Sequence, residues 1–281
     1  MHQLIVTADD YGMSSAINKA IDCGIERGLI TSTNVMTNMD YYQESRKLRN
    51  SNVSVGIHWV LSCGKPVESA DRIPTLVNTD GCFYSYPVFR NRYRKGLISD
   101  DDIKIELVAQ YNRFEELLGK PDYWNTHQNV HVDFRIYALF VRIAIELNIL
   151  KMRSHQRIYV PGSNNKEMRS MKWRIMEPVK AKILDCWQHN ANKRGISSPD
   201  GLIVCLNKSD ATRPEVVFDR IIWKSHKIAE FVIHPAVEND SPYFGSIVDQ
   251  RILEYQMFTD EKTALLLKSA GIQLTNYTAV Q

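Results

Sequence analysis

The feature of this chain that most limits its fold is the repeated alternation of short apolar, β-rich runs with stretches of helical periodicity. The first run, LIVTA (4–8), precedes the helix N-cap candidates Ser14 and Ser15 and then apolar residues at helical spacing. Further strand candidates are STNVM (32–36), VSVGIH (53–58), YWNTH (123–127), ILKMRS (149–154), GLIVCL (201–206), EFVIH (230–234) and IQLTNY (272–277). Helical patterns cover about 40–49, 101–118, 136–148, 166–194, 214–227 and 260–270, whereas 62–99 is irregular.

The strand-then-helix order predicts a mainly parallel sheet, because parallel neighbours need a crossover connection. Seven or eight such units in one chain favour a barrel over an open sheet. A length of 281 residues is ordinary for one α/β barrel. No linker, fixed-period repeat or low-complexity tract divides the chain, so we predict a single domain spanning residues 1–281.

Composition narrows the function classes. A formal net charge of +3 is too small to indicate nucleic-acid binding. Two local basic stretches, 90–95 and 166–194, fit solvated helix faces or a rim that attracts an anionic, phosphate-linked sugar. The five cysteines lack CxxC spacing, which argues against a disulfide framework or a thiolate zinc site. With neither a signal-peptide pattern nor a membrane-length apolar run, we expect a cytoplasmic protein without a transmembrane segment; a homodimer stays open.

Polar side chains collect at the carboxyl ends of the predicted strands, where barrel enzymes build their active sites. Asp9 and Asp10 follow the first run, and later runs end at or next to His58, His127, Arg153 and His234. Each residue alone has an ordinary structural role, such as a cap, a hydrogen-bonded histidine or a salt bridge. Five strand ends carrying such groups together indicate a site.

Two imidazoles and a carboxylate suit a divalent metal that keeps open positions for water and substrate. His131 follows His127 by four residues and fits a ligand, a substrate contact or a structural role. The aromatic residues of 81–94 fit a sugar-binding loop, an oligomer contact or a small satellite core. Trp59 should point away from the site and into the core, because side chains alternate along a strand.

Several motifs resemble those of the YdjC-like carbohydrate deacetylases, a family that includes chitooligosaccharide deacetylases. They are TADDYG (7–12), GIHWVL (56–61), THQNVH (126–131), MRS (152–154) and EFVIHP (230–235). The segments 72–83 and 246–277 are also similar, so the resemblance covers nearly the whole chain. It implies a deformed (β/α) TIM-like barrel of about seven strands, related to the polysaccharide deacetylases.

The resemblance also implies a role for each motif residue. Asp10, His58 and His127 would bind one divalent ion, Mg²⁺ or Zn²⁺. Asp9 would be the catalytic base, Arg153 would hold Asp9, and His234 would be the general acid. The implied reaction is metal-dependent hydrolysis of the acetamido group of an N-acetylhexosamine-containing sugar (free, oligosaccharide or carrier-linked), releasing acetate. The alternatives are a metal-dependent hydrolase of another amide or ester and a catalytically weak carbohydrate-binding relative.

Two positions depart from the family pattern, which usually reads Asp-x-His-x-His-x-His around His127. This chain has Asn125 in place of the aspartate and Asn129 in place of the middle histidine. A carboxylate beside a ligand histidine commonly accepts its second N–H and raises its basicity. An amide oxygen accepts without charge, so metal affinity, rate or substrate class could differ.

Overall fold

The structure, a computed structural model, describes residues 2–158, 171–204, 214–219, 221, 223 and 226–281, without the side chains of 171–178, 204, 216 and 219. Its strands are β1 (His2–Tyr11), β2 (Ser32–Val35), β3 (Ser54–Trp59), β4 (Trp124–Thr126), β5 (Arg157–Ile158), β6 (Gly201–Val204), β7 (Ile228–Ile233) and β8 (Ile272–Thr275). All pairings between these strands are parallel, in the order β4-β3-β2-β1-β7-β6-β5. The short strand β8 adds to the beginning of β1, along residues 2–5.

Isolated parallel bridges bring the two ends of this path together. Trp124 of β4 pairs with Met152, and Lys151 pairs with Ser197 just before β6. The chain leading into β5 therefore lies between β4 and the approach to β6. Seven parallel strands curl in this way into a deformed barrel, which confirms the predicted fold class.

The helices are α1 (Ser15–Glu26), α2 (Tyr86–Arg94), α3 (Asp100–Leu118), α4 (Tyr137–Glu146), α5 (Met171–Lys193), α6 (Pro214–Asp219), α7 (Val248–Met257) and α8 (Glu261–Ser269). The predicted N-cap is confirmed for Ser14, whose hydroxyl accepts from the Ile17 N–H at 3.2 Å. Ile17 and Ile21 of α1 are fully buried, as their spacing predicts. The segment predicted as helical near 40–49 is a 3₁₀ helix, Tyr42–Asn50.

Two helices, α2 and α7, show no apolar periodicity that would predict them, because of the side chains that they bury. Of the described residues Tyr86–Arg94 in α2, a single one, Phe89, is buried, so the helix has no apolar stripe. In α7 the buried set includes Arg251 and Glu254, which a search for apolar periodicity passes over. The core faces of both helices depend on contacts made by other parts of the chain.

Two predicted elements are wrong in extent. The helix predicted over 214–227 ends at Asp219, and the described residues after it are not helical. In place of the strand predicted over 149–154, the structure has isolated β-bridges at Lys151 and Met152, and strand β5 begins at Arg157. Parts of the predictions for 166–194 and 201–206 (residues 166–170, 205 and 206) lie outside the described residues.

The prediction for Trp59 is confirmed, because its buried ring contacts Trp124 and Phe140.

Candidate metal centre and active site

The carboxyl end of β1 carries two consecutive acidic residues into the barrel mouth. In a regular strand, neighbouring side chains point to opposite faces. Here β1 has one more residue than β2 between the pairs Ala8–Thr33 and Tyr11–Val35, and Asp10 takes a left-handed conformation with φ of 74°. This bulge allows both Asp9 and Asp10 to line the same cavity.

Asp10 is the centre of a buried group of three metal-ligand types. Its Oδ1 lies 3.0 Å from His127 Nδ1 and 3.3 Å from His58 Nε2. One ligand atom of each residue lies within 4.8 Å of the others, and within the described residues this is the group that could hold a metal ion. The structure thus brings together the three residues that the sequence places on β1, on β3 and directly after β4.

Asp9 belongs to a different cluster, although it is the neighbour of Asp10. Arg153 donates to both of its oxygens, at 2.7 Å to Oδ2 and 2.6 Å to Oδ1. Asn34 Nδ2 donates to Oδ1 at 2.6 Å. Arg153 also donates to Glu230 Oε1, at 3.2 Å from Nε and 3.1 Å from Nη2, so one guanidinium lies between two buried carboxylates.

The charges of these clusters fix which carboxylates are ionised. Burial alone would raise the pKa of Asp9, but the ion pair and hydrogen bonds with Arg153 outweigh it and hold that pKa well below its usual range. For Asp10, burial is likewise outweighed by Arg251 and His127, and its pKa is also lowered. Burial opposes a charge on His127, but its contacts with Cys63 and Asp10 raise its pKa. Both carboxylates are therefore anionic at neutral pH.

His234 lies at the end of β7, beside Asp9. Its Nε2 is 3.7 Å from Asp9 Oδ2, and its side chain is 31% exposed, facing the cavity. Burial lowers its pKa, and the nearby carboxylates Asp9 and Asp10 only partly offset this effect. Neutral imidazole is therefore the resting form of His234 at neutral pH.

The cavity at this mouth has a volume of about 330 Å³. The site residues predicted at the strand ends line this cavity, and residues 243–247 also line it. None of the aromatic residues of 81–94 lines it, and Phe83 and Phe89 are buried in the main hydrophobic core rather than in a separate satellite core. No described side chain of the two basic stretches lines it either.

His131 and Asn129 take different positions from His127. His131 is buried away from the ligand group, with Nδ1 2.6 Å from the Thr126 hydroxyl and its ring against Trp124 and His155. This favours the structural role among the three left open by the sequence. Asn129 is exposed at the cavity and has a φ of 52°, a left-handed conformation that asparagine adopts more readily than most residues.

Several site residues were not predicted. Arg251 of α7 donates to Asp10 Oδ2 at 2.6 Å, and Cys63 lies near enough to His127 to raise its pKa. Asn34 and Glu230 complete the surroundings of Asp9 and Arg153. Asn34 and Glu230 stand in predicted strands and could have been suspected there. Arg251 and Cys63 come from a polar helix and an irregular segment, where no local pattern marks them.

The fold and the site define a (β/α) barrel protein with a buried Asp-His-His group at the carboxyl ends of its strands. The family model described as "YdjC-like protein" matches residues 3–269. The chain belongs to this family, which confirms the resemblance. Among the described residues, no helix is long and apolar enough to cross a bilayer.

Relatives resemble the chain over nearly its full length. A carbohydrate deacetylase of Geobacillus stearothermophilus is 34% identical over 276 residues, covering 97% of this chain and 96% of that protein. A chitooligosaccharide deacetylase of Proteus mirabilis is 24% identical, covering 98% of each chain. An alignment with a carbohydrate deacetylase of Clostridium beijerinckii is 35% identical but covers 52% of this chain and 58% of that protein.

A solved structure supports the fold. A protein of Enterococcus faecalis V583, proposed to cleave cellobiose phosphate, has a TM-score of 0.74 at 21% identity. The match covers 99% of this chain and 98% of that one. At this identity the likeness concerns the architecture and not the activity.

Proposed function

We propose that this protein is a metal-dependent carbohydrate N-deacetylase. It would hydrolyse the acetamido group of an N-acetylhexosamine-containing sugar to acetate and a free amine. The observation that carries the proposal is the buried Asp10, His58 and His127 group beside an Asp9 clamped by Arg153. The names of the full-length relatives support the substrate class.

The donor set fits a divalent cation. One carboxylate and two imidazoles, held within 4.8 Å of one another, suit zinc and leave room for additional ligands. Arg251 supports the set by holding the second oxygen of Asp10. A bound divalent cation would polarise the acetamido carbonyl and make water a stronger nucleophile.

Asp9 is the proposed general base. Asp9 is held by Arg153 and Asn34 and is not part of the group formed by Asp10, His58 and His127, so its carboxylate can serve the reaction and need not bind the cation. Because its pKa is lowered, it is ionised at neutral pH and ready to accept a proton from the attacking water. Arg153 fixes its orientation through two hydrogen bonds.

His234 is the proposed general acid. Since its resting form is neutral, it must gain a proton during turnover. Asp9 is the nearest source, 3.7 Å away, once it has taken the proton of water. Breaking the C–N bond leaves the sugar nitrogen needing that proton, and His234 faces the cavity from which it can donate. The proton removed from water thus ends on the amine.

The decisive experiment measures acetate released from a panel of N-acetylated sugars: free, oligomeric, phosphorylated and nucleotide-linked. We expect release from at least one of them, its loss with a chelator, and its return with Mg²⁺ or Zn²⁺. Asp10→Asn is the matched control, because asparagine tolerates the left-handed backbone of position 10 while removing the charge. Release only from simple esters or other amides would favour a different hydrolase, and binding without release would favour a weak carbohydrate-binding protein.

A further inference from the structure

Asn125 of β4 lies between the candidate metal ligands and the charged cluster around Asp9. Its side chain is buried, with 1% exposure, and one end of its amide lies 2.5 Å from His58 Nδ1. The other end faces Arg153 and Asn34. The amide therefore contacts both clusters at once, and its orientation affects both.

The two orientations of this amide satisfy different partners. With the oxygen towards Arg153 and Asn34, it accepts from Arg153 Nη1 at 3.1 Å, from Nη2 at 2.9 Å and from Asn34 Nδ2 at 3.0 Å. The amide NH₂ then donates to His58 Nδ1 at 2.5 Å. With the oxygen towards His58, the NH₂ instead faces three N–H donors, which leaves buried polar groups unpaired and disfavours this orientation.

The favoured orientation has a consequence for His58. A neutral imidazole that accepts at Nδ1 carries its proton on Nε2. Yet Nε2 is the atom that faces Asp10 Oδ1, at 3.3 Å. A cation bound by both residues would need Nε2 to be unprotonated, because the lone pair of that nitrogen forms the bond to the cation. When Nε2 binds a cation, the imidazole proton is on Nδ1, and Nδ1–H needs a hydrogen-bond acceptor. In the favoured orientation Asn125 presents its NH₂ donor to Nδ1 instead.

We propose that Asn125 is a positioning residue that holds His58 in the tautomer unsuited to ligation, so that cation binding must reverse the amide and is weakened by the hydrogen bonds lost to Arg153 and Asn34. This inference rests on the proposed metal centre. A carboxylate at position 125 would remove the conflict, because one oxygen could accept from His58 and the other from Arg153. Asn125 thus sets the affinity of the site without touching the ion.

The first test measures the wild-type protein. In cation-free protein with ¹⁵N-labelled histidine, the His58 signals, identified by their loss in His58→Gln, should show a protonated Nε2 and an unprotonated Nδ1. Adding Zn²⁺ should move the proton to Nδ1. A cation-free His58 with the proton on Nδ1, or with both nitrogens protonated, overturns the proposal.

The second test compares Zn²⁺ dissociation constants, measured by competition with a chromophoric chelator and without any sugar. Asn125→Asp should bind 10–100-fold more tightly than the wild type, the range typical for partners of ligand histidines. Asn129→Asp is the control, since it adds the same charge at the cavity, outside the group formed by Asp10, His58 and His127, and aspartate tolerates the left-handed backbone of this position. Equal tightening in both variants would assign the effect to charge alone, and no tightening in Asn125→Asp would overturn the inference. Thermal unfolding reports whether each variant folds.

The outcomes separate this inference from the proposed function. Tautomer and affinity changes as expected, with no acetate release from any sugar, would remove the deacetylase assignment and keep the role of Asn125. Acetate release that depends on metal, with an unchanged dissociation constant in Asn125→Asp, would do the opposite.

Discussion

Asp9 and Asp10 show how two adjacent residues of one type acquire different chemistry. The left-handed conformation at Asp10 turns its carboxylate towards His58 and His127, while Asp9 is held by Arg153. Both charges are buried and both are compensated by arginine, which is what keeps buried carboxylates ionised. The bulge therefore separates the proposed base from the proposed ligand.

Changing Asp9 to Asn should remove turnover and spare metal binding. The amide cannot accept the proton of water, so we expect the rate to fall by about 10²–10⁴-fold, the usual contribution of a general base. Metal content of the purified protein should remain near that of the wild type. Asp71→Asn, an exposed residue, makes the same chemical change as a control. Loss of the metal together with activity would instead make Asp9 a ligand.

His234→Asn should reveal whether the imidazole acts as an acid. The effect should depend on the leaving group: a large loss on an acetamido sugar and a small one on p-nitrophenyl acetate, whose phenolate leaves without a proton. Metal content should not change. The Asp9 variant should lose activity on both compounds. An equal loss of rate on both substrates in His234→Asn would argue against the acid role.

At the scale of elements, strand ends supply most of the site, helix α7 adds Arg251, and other helices hold the connecting segments. Helix α3 fixes the chain after β3 through Glu106, which accepts from the backbone N–H groups of Val67 and Glu68 at 2.9 Å each. Gln110 of the same helix binds Val60 through both ends of its amide. This segment includes Cys63, the neighbour of His127. The position of the site thus depends on a helix that contributes no residue to it.

Glu106 should make stability depend on pH. Burial raises its pKa to about 7 against the hydrogen bonds from Gln110 and the backbone. The folded state then binds a proton that the unfolded chain releases, so the free energy of unfolding should fall as pH rises from about 4.5 to 7, by on the order of 3 kcal/mol. Urea unfolding at pH 5 and pH 8 measures this difference.

The matched comparison is Glu106→Gln with Glu116→Gln, an exposed position on the same helix. The pH-dependent loss should shrink in the first variant and stay at the wild-type size in the second. A loss that is the same in all three proteins would show that Glu106 does not titrate in this window.

At the scale of the molecule, the barrel brings residues from β1, β3, β4, β7 and the distant helix α7 to one mouth. Asp10 and Arg251 are 241 positions apart in sequence and 2.6 Å apart in space. A ligand of the group formed by Asp10, His58 and His127 would bind the folded state alone, because the unfolded chain does not hold these residues together. That the chain forms one domain stays a prediction.

Metal should therefore stabilise the whole fold. A cation at 100 times its dissociation constant adds about 2.7 kcal/mol to the free energy of unfolding, which raises Tm by several degrees. Differential scanning fluorimetry with Zn²⁺ or Mg²⁺ and after chelation measures the shift. Asp10→Asn should lose most of it. An unchanged wild-type Tm with both ions at saturation would contradict a metal site in this group.

Sequence alone determined the strand-and-helix order, the parallel barrel and the strand-end residues from which the site is built. These features follow from local periodicity, and the barrel topology then puts the carboxyl ends of parallel strands at one mouth. Helix α2, which lacks an apolar stripe, and helix α7, which buries Arg251, gave no such local signal.

Only the tertiary structure decided the bulge that turns Asp10, the contacts of Arg251 and Cys63, the packing of His131 and the position of Asn125 between His58 and Arg153. Each of these depends on distances between residues that are far apart in the chain. A backbone conformation or an amide orientation is chosen by the partners that surround it. Those partners become neighbours only when the barrel closes.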